Sequence, residues 1–282
     1  MAKLLKAIPA VKGMMAECKA RSDALAERGI VPTLGILRVG EREDDLSYEK
    51  GAVKRCEQAG VQVKKIVLPL DAAQETVLAE IEKLNQDKSI HGVLIFRPLP
   101  AQIDDAVVCR ALAPEKDVDG ITSQSMAGIF SGTHIGFPPC TPQGCIELLR
   151  HYNIPLKGKR AVVLGRSLVV GKPLSMLLLE ENATVTVCHS RTEGLAEICR
   201  DADILIAAVG KREMVTADFV SPGQVVIDVG IHVKEDGSLC GDVDFKAAEG
   251  IAEAISPVPG GAGTMTAAVL AKHVIEAAER SI

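Results

Sequence analysis

The feature that most constrains this chain is a regular alternation. Short β-branched or aliphatic runs take turns with longer amphipathic stretches. Residues 33–39, 61–67 and 92–96 read as strands. Between them, helical patterns run from a polar loop to about Cys56, over 73–84 (Val77, Ile81 and Leu84 at spacings of three and four) and over 104–112. Gly60 is a fitting stop for the first helix, because glycine takes the left-handed cap conformation cheaply. The 92–96 run is apolar throughout, as expected of a strand covered on both faces. After a Pro/Gly-rich passage at 136–144, the alternation resumes with helix 143–151, strand 160–164, helix 172–181 and strands 184–188, 204–209 and 225–229; an alanine-rich helix at 265–280 ends the chain. Strands separated by helices imply right-handed crossovers and mostly parallel sheets with helices on both faces. The expected fold class is α/β, in two domains with a ligand-binding cleft between them.

Composition narrows the function. With 282 residues, 47% of them hydrophobic and 24% charged, the chain is long enough for two modest domains and unlike a disordered protein. A net charge of −5 gives no electrostatic reason to bind nucleic acid or an anionic membrane. Aromatic residues at 2% are too few for a base-stacking platform. No apolar run approaches the ~20 residues of a membrane span, and the N-terminus lacks the apolar core of a secretory signal, so a cytoplasmic protein is expected. The eight cysteines form no C-x-x-C pair and the six histidines no H-x-x-x-H pair; reduced, buried thiols and no metal site are expected.

The most informative local stretch is Ala161-Val-Val-Leu-Gly165-Arg166-Ser167-Leu-Val-Val-Gly171-Lys172-Pro173. A buried strand ends at Gly165, turns, and restarts as a helix with Pro173 in its first turn, where proline fits. Small residues there let phosphate approach backbone N–H groups at a positive helix end. The motif is not the standard G-x-G-x-x-G: Ser167 holds the second-glycine position and the last glycine comes one residue late. The next strand ends in His189-Ser190-Arg191-Thr192, without the acid that holds an NAD ribose. Arg166 and Arg191 are suited to a 2′-phosphate, through charge-assisted and often bidentate contacts. NADP is therefore the expected cofactor, with NAD as the alternative; surface arginines over a packed turn without ligand are the plainer reading.

Several segments in order carry a resemblance over nearly the whole length: Lys116-Asp-Val-Asp-Gly120, Pro139-Cys-Thr-Pro-Gln-Gly144, Gly165 to Pro173, Cys188-His-Ser-Arg-Thr192, Val229-Gly-Ile231 and Pro257-Val-Pro-Gly-Gly261. The chain resembles the methylenetetrahydrofolate dehydrogenase/methenyltetrahydrofolate cyclohydrolase (FolD) family. The resemblance implies a folate-binding catalytic domain (1–136 with 265–282) and an inserted Rossmann dinucleotide-binding domain (137–264), in a homodimer. It implies cofactor positions at Gly165, Arg166, Ser167, Ser190, Arg191 and Ile231. It puts the pterin-holding acid at Asp119, the stacking ring at Tyr48, and the folate-side loops at Phe96, Arg97 and Pro98 and at Pro259, Gly260 and Gly261.

The chain departs from the family pattern at its chemical centre. The family lysine four residues after the tyrosine is Ala52, its glutamine partner is Phe96, and the serine three residues before the tyrosine is Asp45. Lys50 and Lys54 each lie two residues from Ala52, about 200° around a helix. Hydride transfer needs positioning above all, whereas hydrolysis of the methenyl group needs a tuned acid/base group. The expected activity is oxidation of 5,10-methylenetetrahydrofolate by NADP, with cyclohydrolase activity weak or lost. The alternatives are an ordinary bifunctional enzyme in which Lys54 or Arg97 reaches the site, and a folate- or nucleotide-binding protein without turnover. Without the resemblance, Lys54 reads as a solvated helix lysine and Glu41 to Asp45 as a solvated loop.

Overall fold

A computed structural model describes residues 1–282. The chain folds into two compact units, one of residues 12–140 with 267–282 and one of residues 1–11 with 141–266. It opens with β1 (Lys3–Leu4) and α1 (Ala7–Glu27). The first of these units then takes β2 (Thr33–Val39), α2 (Glu43–Ala59), β3 (Gln62–Leu68), α3 (Gln74–Gln86), β4 (Gly92–Ile95), α4 (Asp105–Ala111) and α5 (Ser123–Ser131). After α6 (Cys140–His151), the second is built from β5 (Arg160–Leu164), α7 (Gly171–Glu180), β6 (Thr184–Cys188), α8 (Leu195–Arg200), β7 (Ile204–Ala207) and β8 (Val225–Asp228). A short antiparallel hairpin of β9 (His232–Val233) and β10 (Leu239–Cys240) follows, then α9 (Phe245–Glu249), β11 (Ala254–Ile255) and the C-terminal α10 (Thr266–Arg280).

The first unit holds a three-stranded parallel sheet in the order β3-β2-β4. Its core joins Leu37 and Val39 of β2, Val93 and Ile95 of β4, and Val77, Ile81 and Leu84 of α3, the spacing read from the sequence. Gly60 caps α2 in the left-handed conformation (φ 75°). The second unit holds a six-stranded parallel sheet in the order β1-β11-β8-β7-β5-β6. Each of β5, β7 and β8 is buried over four residues, which explains their unbroken aliphatic runs.

Two departures from the sequence reading concern the chain's N-terminal segment and its acidic run. Residues 1–11 pack with the six-stranded sheet rather than with 12–136, because β1 pairs with β11 (Lys3 opposite Ala254, Leu4 opposite Ile255). A two-residue strand has no periodicity to read. The acidic run is only partly a loop: Glu43, Asp44 and Asp45 form the first turn of α2, where carboxylates face the positive helix end, and Asp45 is buried.

Candidate active site

In the three-stranded sheet β2 lies between β3 and β4, so the crossover direction reverses between β2 and β4. The carboxyl ends of strands at such a point form the usual ligand crevice of an open α/β sheet. Phe96 follows β4 directly, its N–H donating to the Leu37 carbonyl (3.1 Å). Its buried ring meets Tyr48 of α2 edge-on, with centroids 5.8 Å apart and planes at 82°. Ala52, one helical turn beyond Tyr48, is fully buried (0% exposed), whereas Lys50 and Lys54 both lie exposed. Lys54 is thus not brought to the Tyr48 cluster: it lies six positions beyond Tyr48, which turns it to another face of α2. Asp45 is buried with Arg42 at 3.9 Å, and Arg42 also donates to the Pro98 carbonyl (3.0 Å).

The turn Lys116–Gly120 shows how neighbouring charges divide their duties. The buried Lys116 ammonium donates to the Leu84 and Asp87 carbonyls (2.6 and 2.7 Å) at the end of α3, where a cation suits the helix dipole. Asp117, fully buried, accepts from the Ile121 and Thr122 N–H groups (2.9 and 2.8 Å) and from the Ser125 hydroxyl (2.6 Å), fixing the start of α5. Val118 presses on β4 so closely that a Cβ on Gly92 would come 2.5 Å from it. His273 of α10 and the Cys140 thiol both donate to the Val118 carbonyl (2.9 and 3.3 Å). With its neighbours so committed, Asp119 is left to face Tyr48, Cys140 and Arg97. Burial, opposed by the Cys140 thiol and reinforced by the charge of Asp117, pushes its carboxyl up to about 6, while the Arg97 guanidinium pulls the other way. Burial, then the charge of Asp119, hold the Tyr48 phenol well above its ordinary value. Arg97 is half-buried, with Nη1 3.6 Å from the Cys109 sulfur.

The six-stranded sheet reverses direction between β5 and β7. Gly165, directly after β5, has φ 133°, and a Cβ there would sit 2.1 Å from the Ala208 carbonyl oxygen. A Cβ on Gly171 would sit 2.2 Å from the Gly165 carbonyl oxygen. Glycine at both positions lets the chain turn tightly from β5 into α7, as a closely approaching phosphate requires. Ser167 Oγ accepts from the Val170 N–H (3.1 Å), ordering the loop ahead of α7. Leu164 pairs with Cys188, so the exposed Arg166 stands on the strand tip next to that of Ser190 and Arg191, which are also exposed. His189 closes this second tip, accepting from the Arg191 N–H at Nδ1 (3.2 Å). Ile231, following β8, is 60% exposed.

The structure gathers Tyr48, Phe96, Arg97 and Asp119 in the first unit. Gly165, Arg166, Ser167, Ser190, Arg191 and Ile231 lie in the other, as do Pro259, Gly260 and Gly261. Gly261 is required where it stands, since a Cβ would come 2.4 Å from the Pro257 carbonyl oxygen. The buried Asp45 and its contact Arg42 belong beside Tyr48. The sequence signal for them was their closeness to the tyrosine, within two helical turns.

Residues 5–119 match the family model for the tetrahydrofolate dehydrogenase/cyclohydrolase catalytic domain, and residues 139–282 match that for the NAD(P)-binding domain. The bifunctional protein FolD of Carboxydothermus hydrogenoformans is 52% identical over 281 residues, covering 99% of this chain and 98% of the relative. The crystal structure of the bifunctional FolD methylenetetrahydrofolate dehydrogenase/cyclohydrolase from Campylobacter jejuni superposes with a TM-score of 0.97 at 36% identity, covering 100% of both chains. The Trypanosoma brucei enzyme complexed with NADP and an inhibitor gives 0.92 at 33% identity, covering 99% of this chain and 98% of that one. No helix is long and apolar enough to cross a membrane. The chain belongs to the tetrahydrofolate dehydrogenase/cyclohydrolase family.

Proposed function

We propose that the protein oxidises 5,10-methylenetetrahydrofolate to 5,10-methenyltetrahydrofolate with NADP, and that it accelerates hydrolysis of the methenyl product weakly or not at all. The observation that carries the second half is the buried Ala52. The helix position facing the same side as Tyr48 bears a methyl group, and both nearby lysines lie exposed. The same reading includes the homodimer and the cytoplasmic location expected from the sequence.

The strand tips fit NADP. Gly165 and Gly171 permit a turn from β5 into α7 that any Cβ would break against a backbone oxygen, and Arg166, Ser190 and Arg191 offer guanidinium and hydroxyl groups to a 2′-phosphate, with no acid at the end of β6 to repel it. NADP, when bound, supplies the hydride acceptor. On the folate side, Asp119 accepts from the pterin N–H groups. Tyr48 and Phe96, packed edge-on, give the ring apolar contacts, and Arg97 and Pro98 follow Phe96 directly; Pro259, Gly260 and Gly261 are assigned to the substrate by the family resemblance. The hydride leaves the carbon bridging N5 and N10, and the lone pairs of those nitrogens stabilise the resulting cation. No side chain has to move a proton, so this step asks the protein chiefly for orientation. Hydrolysis asks for more: water attacks the cationic carbon, loses a proton, and a departing nitrogen gains one. A desolvated lysine can be tuned for that exchange. Alanine cannot.

Monitoring nicotinamide reduction with 5,10-methylenetetrahydrofolate, in parallel with NADP and NAD, tests the dehydrogenase. Arg191→Ala and Arg166→Ala are each expected to raise the KM for NADP about 10-fold or more while leaving that for NAD nearly unchanged, as befits loss of one charge-assisted phosphate contact. Equal effects on both cofactors would contradict the assignment. The bifunctional reading draws support from relatives at 45–52% identity that are bifunctional proteins by name. It requires a substitute for the lysine, and Lys54→Ala distinguishes the two: selective loss of hydrolysis would favour it, and unchanged kinetics are expected here.

A further inference from the structure

Two buried carboxylates, Asp228 at the end of β8 and Asp242 after the β9–β10 hairpin, come together at the carboxyl ends of β7 and β8. Asp242, 0% exposed, accepts from the Val209 and Gly210 N–H groups through Oδ2 (2.7 and 3.0 Å) and contacts His232 Nε2 through Oδ1 (2.8 Å). Asp228, the last residue of β8, accepts from the Gly230 and Asp242 N–H groups through Oδ1 (3.0 and 2.9 Å) and from the Val243 N–H through Oδ2 (3.0 Å). Its own N–H donates to Ser256 Oγ at the end of β11 (2.8 Å). The packing admits nothing larger than glycine around the pair: a Cβ on Gly230 would lie 2.4 Å from Asp242 Oδ1, and one on Gly241 would lie 1.9 Å from Asp228 Oδ2.

Burying two acids side by side is costly, and burial pushes the Asp228 carboxyl up to about 6 despite its three backbone donors. What the pair holds gives the reason. Val209 and Gly210 follow Ala208, whose carbonyl abuts Gly165 at the reversal point of the sheet. Ile231 stands between Gly230, bound to Asp228, and His232, bound to Asp242, and so remains displayed to solvent instead of collapsing onto the sheet. We infer that Asp242 is a positioning residue for the cofactor: it clamps the turn after β7 and the Ile231 turn after β8 into one rigid rim on which the nicotinamide end of NADP is seated. The inference rests on the NADP reading above and deepens it.

The test measures binding and backbone protection together with turnover. Asp242→Ala strands two buried N–H donors and the His232 ring. It is expected to weaken NADP binding at least 10-fold by calorimetry and to speed amide exchange at Val209 and Gly210 at least 10-fold in the ligand-free protein, with tetrahydrofolate binding unchanged. Asp242→Asn keeps one acceptor oxygen for the β7 turn and is expected to recover most of the lost affinity, whereas Asp242→Leu, which fills the space without an acceptor, is expected to recover none of it. His232→Ala, which leaves the backbone anchors in place, covers the case in which Asp242→Ala does not fold; its NADP Kd is expected to rise about 3-fold with that for tetrahydrofolate unmoved. The inference is overturned if folded Asp242→Ala, or His232→Ala where it is the variant measured, binds NADP as the unaltered protein does, or if both ligands weaken equally. Failure of the unaltered protein to bind NADP would overturn the cofactor reading itself, and the inference with it.

Discussion

Replacing Ala52 by Lys and Phe96 by Gln together is expected to raise enzyme-catalysed hydrolysis of 5,10-methenyltetrahydrofolate by about 10²-fold, within the range a positioned acid/base group supplies. Hydride transfer to NADP should change far less, because its demands are geometric and fall on other groups. Neither single replacement is expected to do the same. Ala52 is completely enclosed, and a lysine there must find room and a polar partner. With Phe96 retained there is no amide to receive the ammonium, and overpacking an enclosed position typically costs about 1–3 kcal/mol. The Phe96→Gln replacement removes the ring and supplies an amide to receive the charge. The two substitutions are expected to be non-additive in both stability and hydrolysis, the behaviour of positions that share one site. Thermal unfolding and the hydrolysis rate of all four combinations measure this; additive effects would mean that the two positions do not share a site.

Asp119→Asn should lower kcat/KM for 5,10-methylenetetrahydrofolate by about 10²-fold while making the protein more stable at neutral pH. The loss follows from replacing a charged acceptor of pterin N–H groups by an amide with one acceptor, at about 1.5–3 kcal/mol for a charge-assisted bond. The gain follows from its environment. Burial first, then the charge of Asp117, hold its carboxyl at about 6 against an ordinary 3.8. A carboxyl raised in this way binds its proton more tightly in the folded chain than in the unfolded one. Its contribution to stability is therefore most favourable below about pH 4 and is lost as pH rises through about 6. At pH 7 the ionised group is a burden, and removing its charge should stabilise the fold by on the order of 1–2 kcal/mol. The advantage of the variant should shrink as pH falls and vanish near pH 4. The unaltered enzyme should also lose kcat/KM below about pH 6, where Asp119 takes up its proton, and the variant should lack that acid limb. Loss of activity without gain of stability would assign Asp119 to the fold, as Asp117 is.

Asp117 and Asp119 also show where sequence reading runs out. Both could cap the turn at Gly120 on composition alone, and only the resemblance favoured Asp119. In the structure Asp117 takes all three donors at the start of α5 and so has a structural duty of its own, which the turn's composition did not distinguish from that of Asp119. Strands β2, β4, β5, β7 and β8 were legible because their aliphatic runs are buried on both faces, and the cofactor turn because Gly165 and Gly171 meet backbone oxygens. Helix α1 went unread although Val11, Met15, Cys18, Ser22 and Leu25 form its buried stripe, since Pro9, Gly13 and a central serine dilute the pattern. The Asp228–Asp242 pair was invisible for another reason: its members are fourteen residues apart and are joined by a hairpin of two-residue strands, too short to leave a period. The exposure of Lys54 and burial of Ala52 agree with plain helix arithmetic, and the lysine needs no special role.

The activity proposed for this site is hydride transfer without the amine that hydrolysis requires. The most direct test supplies 5,10-methenyltetrahydrofolate to the unaltered protein and follows its disappearance against the spontaneous rate, in the same preparation shown to reduce NADP with 5,10-methylenetetrahydrofolate. Brisk NADP reduction is expected, with a methenyl decay that barely rises with protein concentration. Decay that scales with protein and keeps pace with NADP reduction would contradict that proposal.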